Sequence, residues 1–161
     1  MDDRTTQPSL REVMSRYPTG VTVVAARDDD GKPFGITVNS FTSVSLEPPL
    51  VLVCVGHRST WHDRLVSADG FAVSVLASGQ DAIALRFAKE PSEGRFDGIA
   101  WSPSPSGDPV VDGAVAWLDC TRFEVLDGGD HSILLARVEA SAASDRPALV
   151  FHRGRLTSTG R

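Results

Sequence analysis

Residues Phe34 to Leu50 read FGITVNSFTSVSLEPPL, and no other stretch limits the chain's possible folds and ligands so tightly. Nine of its seventeen residues are Gly, Ser, Thr, Asn or Pro, yet a bulky apolar residue returns every two or three positions. Ordinary surface loops lack that apolar beat, and ordinary strands lack so many hydroxyls. Thr37, Asn39, Ser40, Thr42, Ser43 and Ser45 form a dense row of small donors, and small side chains leave the backbone N–H groups accessible as well. That chemistry suits a phosphate, a polyol chain or the edge of a heterocycle. The competing reading is a Ser/Thr-rich edge strand closed by a proline turn.

The flanking sequence supplies strands. Val21 to Arg27 is a β-branched run ended by Asp28-Asp29-Asp30-Gly31, a solvated hairpin turn, and the return strand spans Pro33 to Phe41. Leu50 to Val55 is short and continuously apolar, as expected of a strand buried on both faces. Phe71 to Leu76 follows, and Ala114 to Leu126, His131 to Ala142 and Ala148 to Arg153 read as three closing strands. Ser9-Leu10-Arg11-Glu12 is a capping box, with Leu10, Val13, Met14 and Tyr17 on one helical stripe. Ser59 is expected to cap a helix through Ala68, and Gln80 to Ala88 forms another with Ile83 and Phe87 on one side. Lys89 to Asp112, rich in Pro, Gly and Ser, has no period and reads as a lid or an oligomer contact. Strands dominate and the helices sit in crossovers, which favours a small barrel in a single domain spanning 1–161, with 1–8 flexible.

Composition narrows function by exclusion. A net charge of -5 argues against nucleic acid, since no basic patch exists to release counterions from phosphates. No apolar run reaches the length of a membrane span, and the two cysteines fit no CxxC spacing, so a reducing cytoplasm is expected. Neither GxGxxG nor GxxxxGK[ST] nor GxSxG occurs, and the four histidines show no metal-ligand spacing, so no metal is expected. A polar ligand segment with few reactive side chains points to an organic cofactor for the hard chemistry.

Three segments then carry a resemblance. Tyr17 to Val24 (YPTGVTVV), Gly35 to Leu50 and Gly129-Asp130-His131 are similar to the flavin reductase-like family of FMN-binding split barrels, over about Leu10 to Arg155. The resemblance implies a mainly β fold, a six-stranded antiparallel Greek-key split barrel with short crossover helices, usually homodimeric. It implies NAD(P)H-dependent reduction of FMN or FAD that feeds a partner monooxygenase. NADH and NADPH both stay open as reductant. Two alternatives also stay open: a flavoprotein reducing another acceptor (a corrinoid, ferric chelate, nitro or azo compound), and a flavin- or haem-binding module without turnover.

By motif match, Thr37, Val38, Asn39 and Ser40 would hold the flavin ring edge and ribityl chain, with Ser43, Val44 and Ser45 continuing along it. Cys54 and Val55 would approach the cofactor, as would Phe87. Ser59 and Thr60 resemble a phosphate-binding turn at a helix start, where Arg58 can add a charge-assisted contact. In Gly129-Asp130-His131, Asp130 would orient His131 against the nicotinamide during hydride transfer. Phe151, His152, Arg153 and Gly154 resemble a segment near the reduced nucleotide, though Leu156 departs from the aromatic residue common there.

Overall fold

The computed structural model describes residues 8–89 and 93–160. The expected flexible segment 1–8 lies, except for Pro8, outside the described residues. In chain order the elements are α1 (Leu10–Met14), β1 (Thr19–Gly20), β2 (Thr22–Arg27), β3 (Pro33–Val38), β4 (Thr42–Leu46) and β5 (Pro49–Gly56). They continue as α2 (His62–Ser67), β6 (Gly70–Val75), α3 (Asp81–Ala88), β7 (Trp101–Pro103) and β8 (Pro109–Val111). The last four are β9 (Ala116–Asp127), β10 (His131–Ala143), β11 (Leu149–His152) and β12 (Arg155–Ser158).

Seven strands form one sheet in the order β3-β2-β6-β9-β10-β5-β4, with every pair antiparallel. The alternation of side chains along β2 shows how it folds. Val24 and Ala26 point into a cluster with Phe34 and Ile36 of β3, Val51, Val53 and Val55 of β5, Phe71 and Val73 of β6 and Leu134 of β10. Strands far apart in the order therefore share one interior, as a sheet rolled into a split barrel requires. Trp61 and Leu65, from the chain around α2, plug that interior. On the opposite face of β2, Val21, Val23 and Ala25 meet Leu76, Phe87, Phe96, Val111 and Leu149.

The fold is the mainly β, antiparallel split barrel the resemblance implied, with more strands than the expected six. A small sheet β1-β11-β12 and the hairpin β7-β8 add to the seven-stranded one. Four sequence expectations differ in detail. The return strand stops at Val38, because beyond it the chain leaves the ladder to reach β5. Phe96, Val110 and Val111 of the Pro/Gly-rich stretch are buried, so residues 93–112 are part of the body and not a loose lid; residues 90–92 lie outside the described residues. This stretch is stapled to β9 by the buried Asp119 carboxylate, which accepts from Ser104 Oγ (3.0 Å), Ser106 Oγ (2.5 Å) and Ser106 N–H (2.9 Å). The Ser9 capping box forms as read, yet the stripe it starts stays exposed: Leu10 is 77% accessible. Finally, α2 begins at His62 with Trp61 as its N-cap, not with Ser59.

Candidate active site

Where β3 runs out, the chain lies beside the ends of β5 and α3 and the start of β10. These four enclose a cavity of about 360 Å³, lined by Ile36 to Ser40, Cys54 to Gly56, Ser59, Phe87, Ala88, Arg95 and His131. Thr37, Val38, Asn39, Ser40, Cys54, Val55, Ser59, Phe87 and His131 were singled out from sequence, and the fold brings all nine to this one space.

The hydroxyl row has a divided role. Thr37 Oγ1 donates to the Ala84 carbonyl (2.7 Å), which ties α3 to β3. Ser40 Oγ donates to the Cys54 carbonyl (2.9 Å) and accepts from the Cys54 N–H (3.0 Å). It thereby supplies the rung of the β5 ladder that β4, whose pairing begins at Thr42 opposite Leu52, does not reach. Asn39 between them is exposed. Burial pushes the Cys54 thiol up from its ordinary value, so the group stays a neutral wall atom and not a thiolate nucleophile.

Arg95 is the residue that sequence reasoning missed. It is only 6% exposed and donates to the carbonyls of Gly35 (3.1 Å) and Lys89 (2.6 Å), bracing the wall where β3 passes the end of α3. A lone arginine before a phenylalanine in an aperiodic segment gives no signal of that role.

His131 opens β10 after the turn Gly128-Gly129-Asp130. Gly129 takes a left-handed φ of 77°, and Gly128 N–H donates to the His131 carbonyl (2.9 Å). The ring lies against Gly56, its cross-strand partner: a methyl placed on Gly56 would sit 3.4 Å from His131 Nε2. Asp130 Oδ1 lies 2.6 Å from His131 Nδ1. That hydrogen bond, followed by the charge of the imidazole, holds the Asp130 carboxyl below its ordinary value. The pair fixes which face of the ring looks into the cavity.

A larger cleft of about 1340 Å³ adjoins the first. Asn39 and Ser40 line both, so these two residues are the shared wall. Its other sides are α1 and the chain to Gly20, Phe41 and Thr42, and Phe151, Arg153 and Gly154 at the β11–β12 turn. Arg153 adopts a φ of 50° there, and its N–H donates to the Ser15 carbonyl (2.9 Å). His152 lies in a shallow groove with Arg153, Arg155 and Thr157. Phe151, Arg153 and Gly154 thus do not share a cavity with His131; they face the neighbouring one. Ser43, Val44 and Ser45 run along the edge strand β4, and Arg58 and Thr60 flank Ser59 in the turn before α2; none of the five lines either cavity. Ser59 Oγ accepts from the Trp61 N–H (3.3 Å), which shapes that turn. The expected helix-dipole contribution at Ser59 falls away, because the helix starts later and is six residues long.

An antiparallel split barrel with a polar, histidine-bearing cavity beside a larger nucleotide-sized cleft defines a class of binding fold, and comparison with known proteins gives it a family. Residues 14–160 match the flavin reductase like domain. The chain belongs to the flavin reductase-like family. It is 40% identical over 146 residues to the reductase subunit of a stachydrine N-demethylase from Rhizobium meliloti, covering 91% of this chain and 63% of that one. It is 45% identical over 152 residues to an NADH-dependent FAD reductase of Streptomyces globisporus, covering 91% and 82%. Among solved structures, a Streptomyces globisporus NADH:FAD oxidoreductase in complex with NAD and FAD fragments superposes with a TM-score of 0.88 at 43% identity, over 94% of this chain and 91% of that one. The chain spans only part of several curated relatives, 46% of the reductase component of an Acinetobacter baylyi trigonelline monooxygenase among them.

Proposed function

We propose that this chain is an NAD(P)H-dependent flavin reductase that passes a hydride from a nicotinamide to FMN or FAD and supplies reduced flavin to a partner monooxygenase. One observation carries the reading: His131 and the Thr37 to Ser40 segment line a single cavity, which shares the Asn39–Ser40 wall with a second, larger cleft. Two adjoining spaces suit a reaction between two large substrates held in contact.

The donor set fits a flavin. The cavity lies in the size range of ligand pockets, roughly 300–1000 Å³, and its lining mixes Val38, Val55 and Phe87 with Asn39, Ser59 and Arg95. Bound there, a flavin supplies the hydride-accepting chemistry that no side chain of this protein possesses. Asn39 and the backbone between Thr37 and Ser40 orient its ring edge. Ser59 and Thr60, with Arg58, hold its phosphate through turn donors and charge. Val44, Ser43 and Ser45 extend that contact along the edge strand. His131, oriented by Asp130, contacts the nicotinamide, and Gly129 gives the turn its shape. Phe151, Arg153 and Gly154 receive the rest of the reduced nucleotide from the larger cleft, and His152 meets it from the neighbouring groove.

Relatives named as NADH-dependent FAD reductase and as FMN reductase (NADH) support NADH as the reductant and leave both flavins in play. Relatives named as reductase components of flavin-dependent monooxygenases support the partner. A homodimer completes the reading. Thr121 to Asp127 of β9 is exposed throughout although β9 lies inside the sheet order, and Phe123, Val125 and Leu126 stand on it uncovered. Free cysteines at Cys54 and Cys120 support a cytoplasmic setting.

The test is steady-state oxidation of NADH and NADPH by purified protein, with and without FMN or FAD. Turnover that depends on added flavin is the expected result. Flavin binding without turnover of either nucleotide would overturn the enzyme reading.

A further inference from the structure

The rings of His57 and His62 converge on one hydroxyl. His62 Nε2 lies 2.8 Å from Ser132 Oγ, and His57 Nε2 reaches the same oxygen at 3.4 Å. The two rings stand edge to face, 5.0 Å between centroids. On its other side His62 Nδ1 lies 2.7 Å from Asp63 Oδ1. The hydrogen-bonding capacities assign one direction to the chain. The Asp63 carboxylate only accepts, so His62 Nδ1 donates to it. In the tautomer that carries its hydrogen on Nδ1, His62 Nε2 accepts from the Ser132 hydroxyl, whose oxygen accepts from His57 Nε2–H. Within it, His62 and Ser132 each give one bond and take one.

Ser132 follows His131 in β10, so their side chains leave the strand on opposite faces. His131 faces the cavity, while Ser132 faces the turn of residues 57–61 that carries Ser59 into the same cavity. Main-chain bonds link that turn to its neighbours. Ser59 N–H donates to the Gly56 carbonyl (2.9 Å), the His62 N–H donates to the Ser59 carbonyl (3.1 Å), and the His57 N–H donates to the Asp130 carbonyl (3.0 Å). The backbone link from Ser59 to His62 is continued by the His62 ring onto β10, at Ser132.

We propose that Ser132, acting through His62 and His57, is the positioning residue that holds the Ser59 turn against β10 and so sets the affinity of the site for the flavin phosphate. The proposal rests on the flavin reading above, and it separates two neighbours in sequence: His131 serves hydride transfer, and Ser132 serves flavin binding.

The test is FMN titration by fluorescence quenching on wild type, Ser132→Ala and Ser132→Thr, paired with kcat at saturating FMN and NADH. Ser132→Ala is expected to raise the FMN dissociation constant about tenfold, the effect of one lost hydrogen bond. The value of kcat should stay within about twofold, since no atom at the nicotinamide is touched. Ser132→Thr keeps the hydroxyl and should restore wild-type affinity. An unchanged dissociation constant in Ser132→Ala, a fall in kcat at unchanged affinity, or failure of Ser132→Thr to restore binding would each overturn the proposal. Should Ser132→Ala not fold, His57→Ala at its exposed position decides the matter: a rise of about twofold to threefold is expected, and none would overturn it. Wild-type protein that binds neither FMN nor FAD would sink the flavin reading itself, an outcome distinct from wild-type and Ser132→Ala binding flavin equally.

Discussion

Ser40 holds Cys54 by both of its main-chain groups, donating to the carbonyl at 2.9 Å and accepting from the N–H at 3.0 Å. A side chain thus replaces a strand where the edge of the sheet ends. Ser40→Ala strands both backbone groups of Cys54 in a half-buried setting, and a loss of about 1–3 kcal/mol is expected. Urea unfolding of the two proteins measures it. Ser40→Thr, which keeps the hydroxyl, should lose far less.

His131→Ala is expected to lower kcat/KM for the nicotinamide on the order of tenfold to a hundredfold, because a misplaced reaction partner costs rate more than binding. Flavin affinity should change little. Gly56 makes a second probe of the same ring. Alanine there brings its methyl to 3.4 Å from His131 Nε2, an ordinary contact, and should be tolerated. Gly56→Val adds branches that must displace the ring, and it should reproduce the His131→Ala kinetics. Parallel kinetics with NADH and with flavin as the varied substrate check both.

Asp108 is half-buried beside Asp119, and burial, aided by the Asp119 charge and opposed by Arg27, raises its carboxyl above the ordinary value. A raised acid favours the folded state only when protonated. Stability therefore falls as pH climbs from the unfolded value, about 3.9, through the raised folded one, and the deficit persists at neutral pH. Asp108→Asn should raise the Tm at pH 7, with the gain shrinking toward zero as pH drops below about 4. Thermal unfolding across that range decides the sign; a variant less stable at pH 7 would refute it.

Gly70 opens β6 opposite Thr121 of β9. A methyl there would overlap the Cys120 carbonyl oxygen, which is main chain and cannot swing away. Gly70→Ala should cost more than about 2 kcal/mol, by strain or by a broken β6–β9 ladder. Loss of amide protection along Gly70 to Ala72, read by hydrogen exchange, would locate the damage.

The sequence was most legible where one residue type serves one local rule. The Ser9–Glu12 capping box, the Asp28 to Gly31 turn and the β-branched runs of β2 and β5 stand where their chemistry put them. The hydroxyl-rich segment marked a cavity wall too, with Thr37 to Ser40 lining one space. What its pattern did not reveal is that Thr37 and Ser40 spend their hydroxyls on the framework. Ser59 misled because Ser, Thr, Asp and Asn shape turns as readily as they cap helices, and here the turn won. Arg95, the burial of Phe96 and the β7–β8 hairpin depend on contacts distant in sequence, which leave no period to read. The stripe of α1 was correctly spaced, yet Leu10, Val13, Met14 and Tyr17 stay largely exposed among the described residues.

The struts around the cavity share one habit: Thr37, Ser40 and Arg95 each donate to a main-chain carbonyl. Every residue has a carbonyl, so the far end of each strut is free to vary in identity without loosening it. Correlated substitution among relatives would consequently be blind to these braces, and the pocket's rigidity would register as three invariant positions with no visible partners.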